Sequence, residues 1–260
     1  ILVMTYPLIG SYGINDEDME SRLIHLEGFV VREYQQWPSN YRSGKTLARY
    51  LEDHGKIGIE GIDTRALTRR LRTQGSMRGI IAADAVNIDE LQEKLDTYPG
   101  LVGRDIVQTV TGKEVLLWKN NTFSSLEEPG PKGDSLRVAV LDCGVKHNIL
   151  RCLEQLGCEV VVVPSRSTPA DILALQPDGV MLSNGPGDPA PLTREVETIK
   201  GLLGEVPIFG ICLGNQLLAQ AVGARTGKLK FGHHGVNQPV KNMLNGRIEI
   251  TSQNHGFHVL

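Results

Sequence analysis

Apolar and polar positions change character along this chain. From residue 136 onward, short β-branched runs alternate with stretches of helical spacing. RVAVLD at 137–142, four valines at 160–163, GVMLS at 179–183 and VPIFGI at 206–211 read as strands. Four consecutive valines fit a strand buried on both faces. Between them, residues 146–156, the stretch opened by Thr168 and Pro169, and residues 193–204 read as helices. Gly157 stands where a helix ends, and Thr168 with Pro169 stand where one begins. Alternation at this pitch predicts a parallel, doubly wound α/β sheet. Such sheets bind ligands at the carboxyl ends of their strands, so chemistry is expected just after Asp142, Ser183 and Ile211.

The first half lacks this regularity. Residues 28–32, 57–62 and 79–83 read as strands. Residues 47–54 and 63–74 read as helices, stopped by Gly55 and Gly75. Residues 120–135, NNTFSSLEEPGPKGDS, carry turn formers, two prolines and mixed charge with no apolar period. They read as a linker. The expected organisation is a mixed α/β domain over 1–120, a linker over 121–135 and the doubly wound domain over 136–260.

Composition narrows the function classes. Hydrophobic residues make up 40% of 260 and charged residues 22%, as in an ordinary globular protein. A formal charge of −3 argues against nucleic acid or an anionic membrane as partner, since either needs a basic field. No apolar run approaches the length of a membrane-spanning helix. The four cysteines, Cys143, Cys152, Cys158 and Cys212, are too few for a disulfide scaffold and have no zinc-site spacing. A reducing cytoplasm is the expected compartment. Cys143, Cys152 and Cys158 read as packing residues.

Cys212 reads differently. It sits in Gly210-Ile211-Cys212-Leu213-Gly214, between the fourth strand and a helix beginning at Asn215. Small residues two positions either side permit a sharp strand-to-helix turn that lifts a nucleophile out of the sheet. The helix N-terminus favours thiolate, and Leu213 N–H could meet a developing oxyanion. A buried core cysteine beside two packing glycines is the competing reading. Asn184-Gly185-Pro186-Gly187-Asp188-Pro189 follows the third strand at the same sheet edge. Gly187 N–H could supply a second oxyanion donor there, although an ordinary Pro/Gly loop has the same composition.

SNGPGDP at 183–189 and FGICLGNQLLA at 209–219 resemble the two signatures of class I glutamine amidotransferases. GVKHNILR at 144–151, KFGHHGVNQPV at 230–240 and TSQNHGF at 251–257 resemble the small-subunit family of carbamoyl-phosphate synthetases. TYPLIGSYGIN at 5–15 and GIDTRALTRRLR at 61–72 resemble that family's N-terminal domain. The resemblance spans essentially the whole chain. It implies a flavodoxin-like class I glutaminase domain, incomplete at its C-terminus. By match, Cys212 attacks the side-chain amide of L-glutamine, and Gly187 and Leu213 hold the oxyanion. Glutamine is held by Gly185, Gly187, Leu213, Gln216, Asn254, Gly256 and Phe257. Lys146 and His255 match further pocket positions, with a salt-bridging surface lysine as the plainer reading of Lys146. Ammonia passes to a large partner subunit, which uses bicarbonate, ATP and Mg to make carbamoyl phosphate for pyrimidine and arginine synthesis. No cofactor or metal is expected in this chain.

The sequence also departs from the family. Residue 215 is asparagine where related elbows carry histidine. The His-Pro-Glu motif that supplies the family's general base and its orienting glutamate is absent, as is the pocket serine that precedes TYPLIG. These gaps lead to the expectation of a fragment, cut at both ends and inactive alone, with the catalytic His and Glu beyond its end. Two alternatives stand beside the glutaminase: a catalytically inactive regulatory or binding subunit, and another class I amidotransferase. His255 is a poor substitute base because it belongs to the pocket wall. His233 and His234, adjacent in a Gly-flanked loop, have poor metal-ligand spacing and read as structural or interdomain. Ser43-Gly44-Lys45-Thr46 ends like a phosphate-binding loop but lacks its first glycine, and reads as a helix start capped by Ser43. The arginines at 65, 69, 70 and 72 read as a partner contact or a solvated helix face.

Overall fold

The computed structural model describes residues 1–84, 87–126 and 133–260. The chain divides into two compact units, Ile1–Gly100 and Leu101–Leu260.

The first unit is built from short pieces. Strands β1 (Leu2–Val3), β3 (Gly28–Val30) and β5 (Ile57–Ile59) form a parallel sheet in the order β1-β3-β5. Strands β2 (Leu8–Ile9) and β4 (Glu33–Tyr34) form a second parallel pair. Helices α1 (Leu47–Asp53), α2 (Thr64–Gln74) and α3 (Ile88–Thr97) complete it. Thr46, not Ser43, caps α1, its hydroxyl accepting from Arg49 N at 3.2 Å. Lys45 pairs with Asp53 at 2.8 Å, so the SGKT stretch is a helix start. The four arginines of α2 are exposed. Residues 79–83 do not form the expected strand. Instead the Ile81 side chain fills the space over Gly28, where a Cβ would fall 2.9 Å from Ile81 Cγ2.

The second unit carries the predicted sheet. Strand β6 (Leu116–Lys119) and β7 (Thr122–Ser125) are followed by β8 (Arg137–Asp142), α4 (His147–Gln155), β9 (Glu159–Pro164), α5 (Pro169–Ala174), β10 (Gly179–Leu182), α6 (Thr193–Leu202), β11 (Ile208–Gly210) and α7 (Leu213–Ala221). The order is β11-β10-β8-β9-β6-β7, with the first four strands parallel. Numbered among themselves, those four run 4-3-1-2. That is the flavodoxin-like winding, with its crevice where β8 and β10 send their crossovers to opposite faces. Alternate valines of β9 serve opposite faces. Val161 and Val163 pack with Ala139, Leu141 and the apolar sides of α6 and α7, whereas Val160 and Val162 pack with Val140, Trp118 and Leu150 of α4. Thr168 and Asp171 form a capping box at α5, with Pro169 in the first turn.

The domain boundary differs from the expectation. Residues 101–120 belong to the second unit, and the expected linker begins with strand β7. Asn120 and Asn121 have φ of 51° and 61°, and Lys119 pairs with Thr122. Positive φ at both central residues makes the two-residue type I′ hairpin turn that matches strand twist. The turn formers thus join β6 to β7 rather than one domain to another. Residues 127–132 of that stretch lie outside the described residues.

Beyond α7, β12 (Thr226–Lys241) and β13 (Ile248–Val259) form a long antiparallel ribbon. Its register shifts twice, between Lys228 and His233 and between Gly235 and Gln238.

Candidate functional site

The second unit gathers its sharpest loops at the carboxyl ends of β8, β10 and β11. After β8, buried Asp142 accepts from Gly144 N and Val145 N through Oδ1, each at 2.9 Å, and from Gly112 N through Oδ2 at 2.8 Å. After β10, buried Ser183 accepts from Cys143 N at 2.9 Å and donates to Asn184 O at 2.8 Å. Asn184 ties the two loops together, accepting from Lys146 N at 3.1 Å and donating to Gly144 O at 3.2 Å. Asp188, also buried, accepts from Gly103 N and Ala190 N, both at 2.9 Å. The glycines of this loop are sterically required. A Cβ on Gly185 would fall 2.6 Å from Leu213 Cδ2, and one on Gly187, at φ 88°, 2.6 Å from Ile106 Cγ1.

After β11 comes the elbow. Cys212 has φ 54° and ψ −108°, outside the regions that an L-residue with a Cβ adopts at ease. A Cβ on Gly210 would fall 2.6 Å from Asn215 N. One on Gly214 would fall 2.6 Å from the Leu182 carbonyl carbon and closer still to its oxygen. Gly214 N donates to Ser183 O at 3.1 Å and Ile211 N to Leu182 O at 3.0 Å, which fastens the turn to β10. Two glycines and these two bonds hold the strained residue in place.

The Cys212 thiol is half-buried, and burial raises its pKa above the ordinary thiol value. The hydrogen bond from Leu213 N–H opposes that rise but does not overcome it. The helix start thus favours the thiolate, as expected, but burial outweighs it. Sγ lies 3.9 Å from Asn254 O on β13. Gln216, one turn along α7 and buried, donates from Nε2 to Phe257 O at 2.7 Å. His255 Nδ1 meets the same carbonyl at 2.6 Å, and its Nε2 meets Gln253 Oε1 at 2.9 Å and His233 Nδ1 at 3.2 Å. His234 Nδ1 meets Asn254 Oδ1 at 2.7 Å, and its Nε2 meets Phe231 O at 3.2 Å. Cys212, Leu213, Gln216, Asn254, His255, Gly256 and Phe257 thus stand together. Gly185 joins them against Leu213, Lys146 through its backbone bond to Asn184, and Gly187 through the same 183–189 loop.

The comparisons with known proteins follow this division. The family model described as carbamoyl-phosphate synthase small chain, CPSase domain, matches residues 1–81. The model described as glutamine amidotransferase class-I matches residues 139–260. Over its whole length the chain is 51% identical to the carbamoyl phosphate synthase small chain of Syntrophotalea carbinolica and 49% to that of Rhodopirellula baltica. Over 99% of its length it is 48% identical to that of Vibrio cholerae, and it covers 69% of each of these relatives. The chain belongs to the carbamoyl phosphate synthase small-chain family.

Several residues outside the elbow have tasks of their own. The tripeptide His25-Leu26-Glu27 has His-x-Glu spacing, but it lies in the first unit, and Glu27 pairs there with Lys56 at 2.9 Å. Cys143 is fully buried and its thiol is pushed well up by desolvation, as a packing residue requires. Cys152 is exposed on α4, so it does not pack as expected. Among the described residues no group of three or more His, Cys, Asp or Glu is placed to hold a metal ion, and no helix is long and apolar enough to cross a membrane. His233 and His234 gain specific partners, His255 and Asn254, that their spacing did not reveal, because these depend on which strand β12 faces.

Proposed function

We propose that this chain is the glutamine-hydrolysing component of a carbamoyl phosphate synthase, with Cys212 as nucleophile. The observation that carries the reading is the strained backbone of Cys212 at the strand–helix elbow, held by two glycines that admit no side chain. Strain kept by surrounding structure is a mark of function.

The thiolate attacks the side-chain amide carbon of glutamine. Leu213 N–H and Gly187 N–H receive the charge that develops on the amide oxygen. The C–N bond then breaks, ammonia leaves with a proton, and water cleaves the γ-glutamyl thioester to glutamate and free thiol. Gly185, Gln216, Asn254, Gly256 and Phe257 line the substrate's place. Since Gln216 Nε2 already donates to Phe257 O, its part is to hold that wall or to accept through Oε1.

A half-buried thiol with a raised pKa needs a base. His255 does not suit, because both its ring nitrogens are engaged elsewhere. The reading therefore requires an imidazole of the His-Pro-Glu kind, which residues 1–260 do not contain. This stretch alone is expected to leave glutamine intact. Ammonia passes to a large partner chain, and the ATP and Mg²⁺ that activate bicarbonate belong to that partner.

Replacing Cys212 by serine in the complete chain with its partner should abolish glutamine-dependent carbamoyl phosphate synthesis and spare synthesis from added ammonia. Glutamine-dependent synthesis that survives in Cys212→Ser would remove Cys212 as nucleophile. A wild-type complex that uses only ammonia would make this a binding subunit.

A further inference from the structure

The ribbon is oddly made where it meets the thiol. Between Lys228 and His233, β12 advances five positions while β13 retreats only two, from Phe257 to His255. The surplus residues bulge out, and Gly232 sits in the bulge at φ 80°. A Cβ there would fall 2.7 Å from His234 Nε2 and 3.2 Å from Gly256 Cα. The bulge sets His233 opposite His255 and His234 opposite Asn254. Neighbours along a strand point to opposite faces, so the two imidazoles grip β13 from both sides of the ribbon.

On one face, His233 Nδ1 lies 3.2 Å from His255 Nε2, with the rings edge to face at 5.0 Å. A carbonyl only accepts, so His255 Nδ1 carries a proton toward Phe257 O. Gln216 from α7 donates to the same oxygen. A chain of hydrogen bonds thus runs from His233 through His255 and Phe257 to the helix that begins at Cys212. On the other face, His234 holds the Asn254 side chain at 2.7 Å, and the Asn254 carbonyl is the oxygen 3.9 Å from Sγ.

We infer that His233 and His234 are positioning residues for the glutamine pocket, clamping the 254–257 wall against the Cys212 elbow through its two faces. The inference rests on the glutaminase reading. Neither imidazole touches the thiol, so the clamp acts on where the substrate sits and not on the bond-breaking itself. Its loss should show in the KM for glutamine and leave kcat nearly unchanged.

The test uses the complete chain with its partner. His233→Phe and His234→Phe keep a ring of similar bulk and lose both nitrogens. Each should raise the KM for glutamine at least fivefold, as expected for one lost hydrogen bond, with kcat and ammonia-dependent synthesis within twofold of wild type. His233→Asn is smaller, but its side-chain amide reaches the place of Nδ1 and can donate or accept. It should restore KM to within twofold. Three results would overturn the inference: a KM rise below fivefold in either phenylalanine variant, an asparagine variant as impaired as the phenylalanine one, or a loss confined to kcat. Cys212→Ser is measured alongside. If it keeps glutamine-dependent synthesis, the glutaminase reading has failed. If it loses that synthesis while the histidine variants behave as wild type, only the clamp has failed.

Discussion

Cys212 stands between two walls made in different ways. The wall on the sheet side is backbone. Strand β10 meets the elbow at Gly214 and the loop after β10 meets it at Gly185, and the buried side chains of this edge, Asp142, Ser183 and Asp188, accept from main-chain N–H groups. The wall on the ribbon side is held by side chains. Two imidazoles and two carboxamides fix residues 254–257, on a ribbon whose far end carries exposed Ile248, Ile250, Met243 and Leu244. Backbone packing leaves nothing to rotate, whereas a side-chain network can be altered one hydrogen bond at a time. The sheet side should therefore respond to substitution by failing to form, and the ribbon side by loosening its hold on substrate.

The largest expected effect lies on the sheet side. Gly214→Ala sets a methyl group against the Leu182 backbone, which has no room to move. Overpacking of this kind should cost about 3 kcal/mol and lower Tm by roughly 6–12 °C. Thermal unfolding followed by circular dichroism checks it. A Tm within a degree of wild type would mean that α7 can slide, and the elbow would not be rigid.

Next is the thiol between the walls. Burial raises its pKa, so the thiolate fraction near neutral pH is lower than in an ordinary cysteine. In residues 1–260 alone, where no base of the His-Pro-Glu kind is present, alkylation by iodoacetamide, followed peptide by peptide, should be slower at Cys212 than at exposed Cys152 near neutral pH. The Cys212 rate should go on climbing at pH values where an ordinary thiol has levelled off. Cys143, fully buried, should react only on unfolding. A Cys212 that outpaces Cys152 at neutral pH would mean that the helix start outweighs burial.

The smallest effect is at the ribbon's tip. Leu244 is 98% exposed, so Leu244→Ser should change stability by less than about 0.5 kcal/mol. Denaturant titration checks it, and a larger loss would mean that the tip packs against something.

The two walls were not equally legible in the sequence. The sheet wall rests on local rules. Four valines mark a strand buried on both faces, and a Gly-x-Cys-x-Gly between strand and helix marks an elbow, with no long-range information needed. The ribbon wall depends on which residues of β12 and β13 face one another. Gly232 lets β12 bulge, and from that point the register no longer follows from counting positions. Both strands are also exposed over much of their length, so no apolar alternation announces them. The same limit explains why the expected linker proved to hold a hairpin. Asn120-Asn121 is equally at home in a loose connection or a tight hairpin, and the choice is made by the edge of β9, which pairs with β6.

The most direct test of the account is to catch the intermediate. The complete chain with its partner is mixed with glutamine, quenched in acid during turnover, digested and mapped by mass spectrometry. A γ-glutamyl group is expected on the peptide carrying Cys212, and none in Cys212→Ser. Turnover of glutamine with no adduct at Cys212, or with the adduct on another residue, would contradict the account.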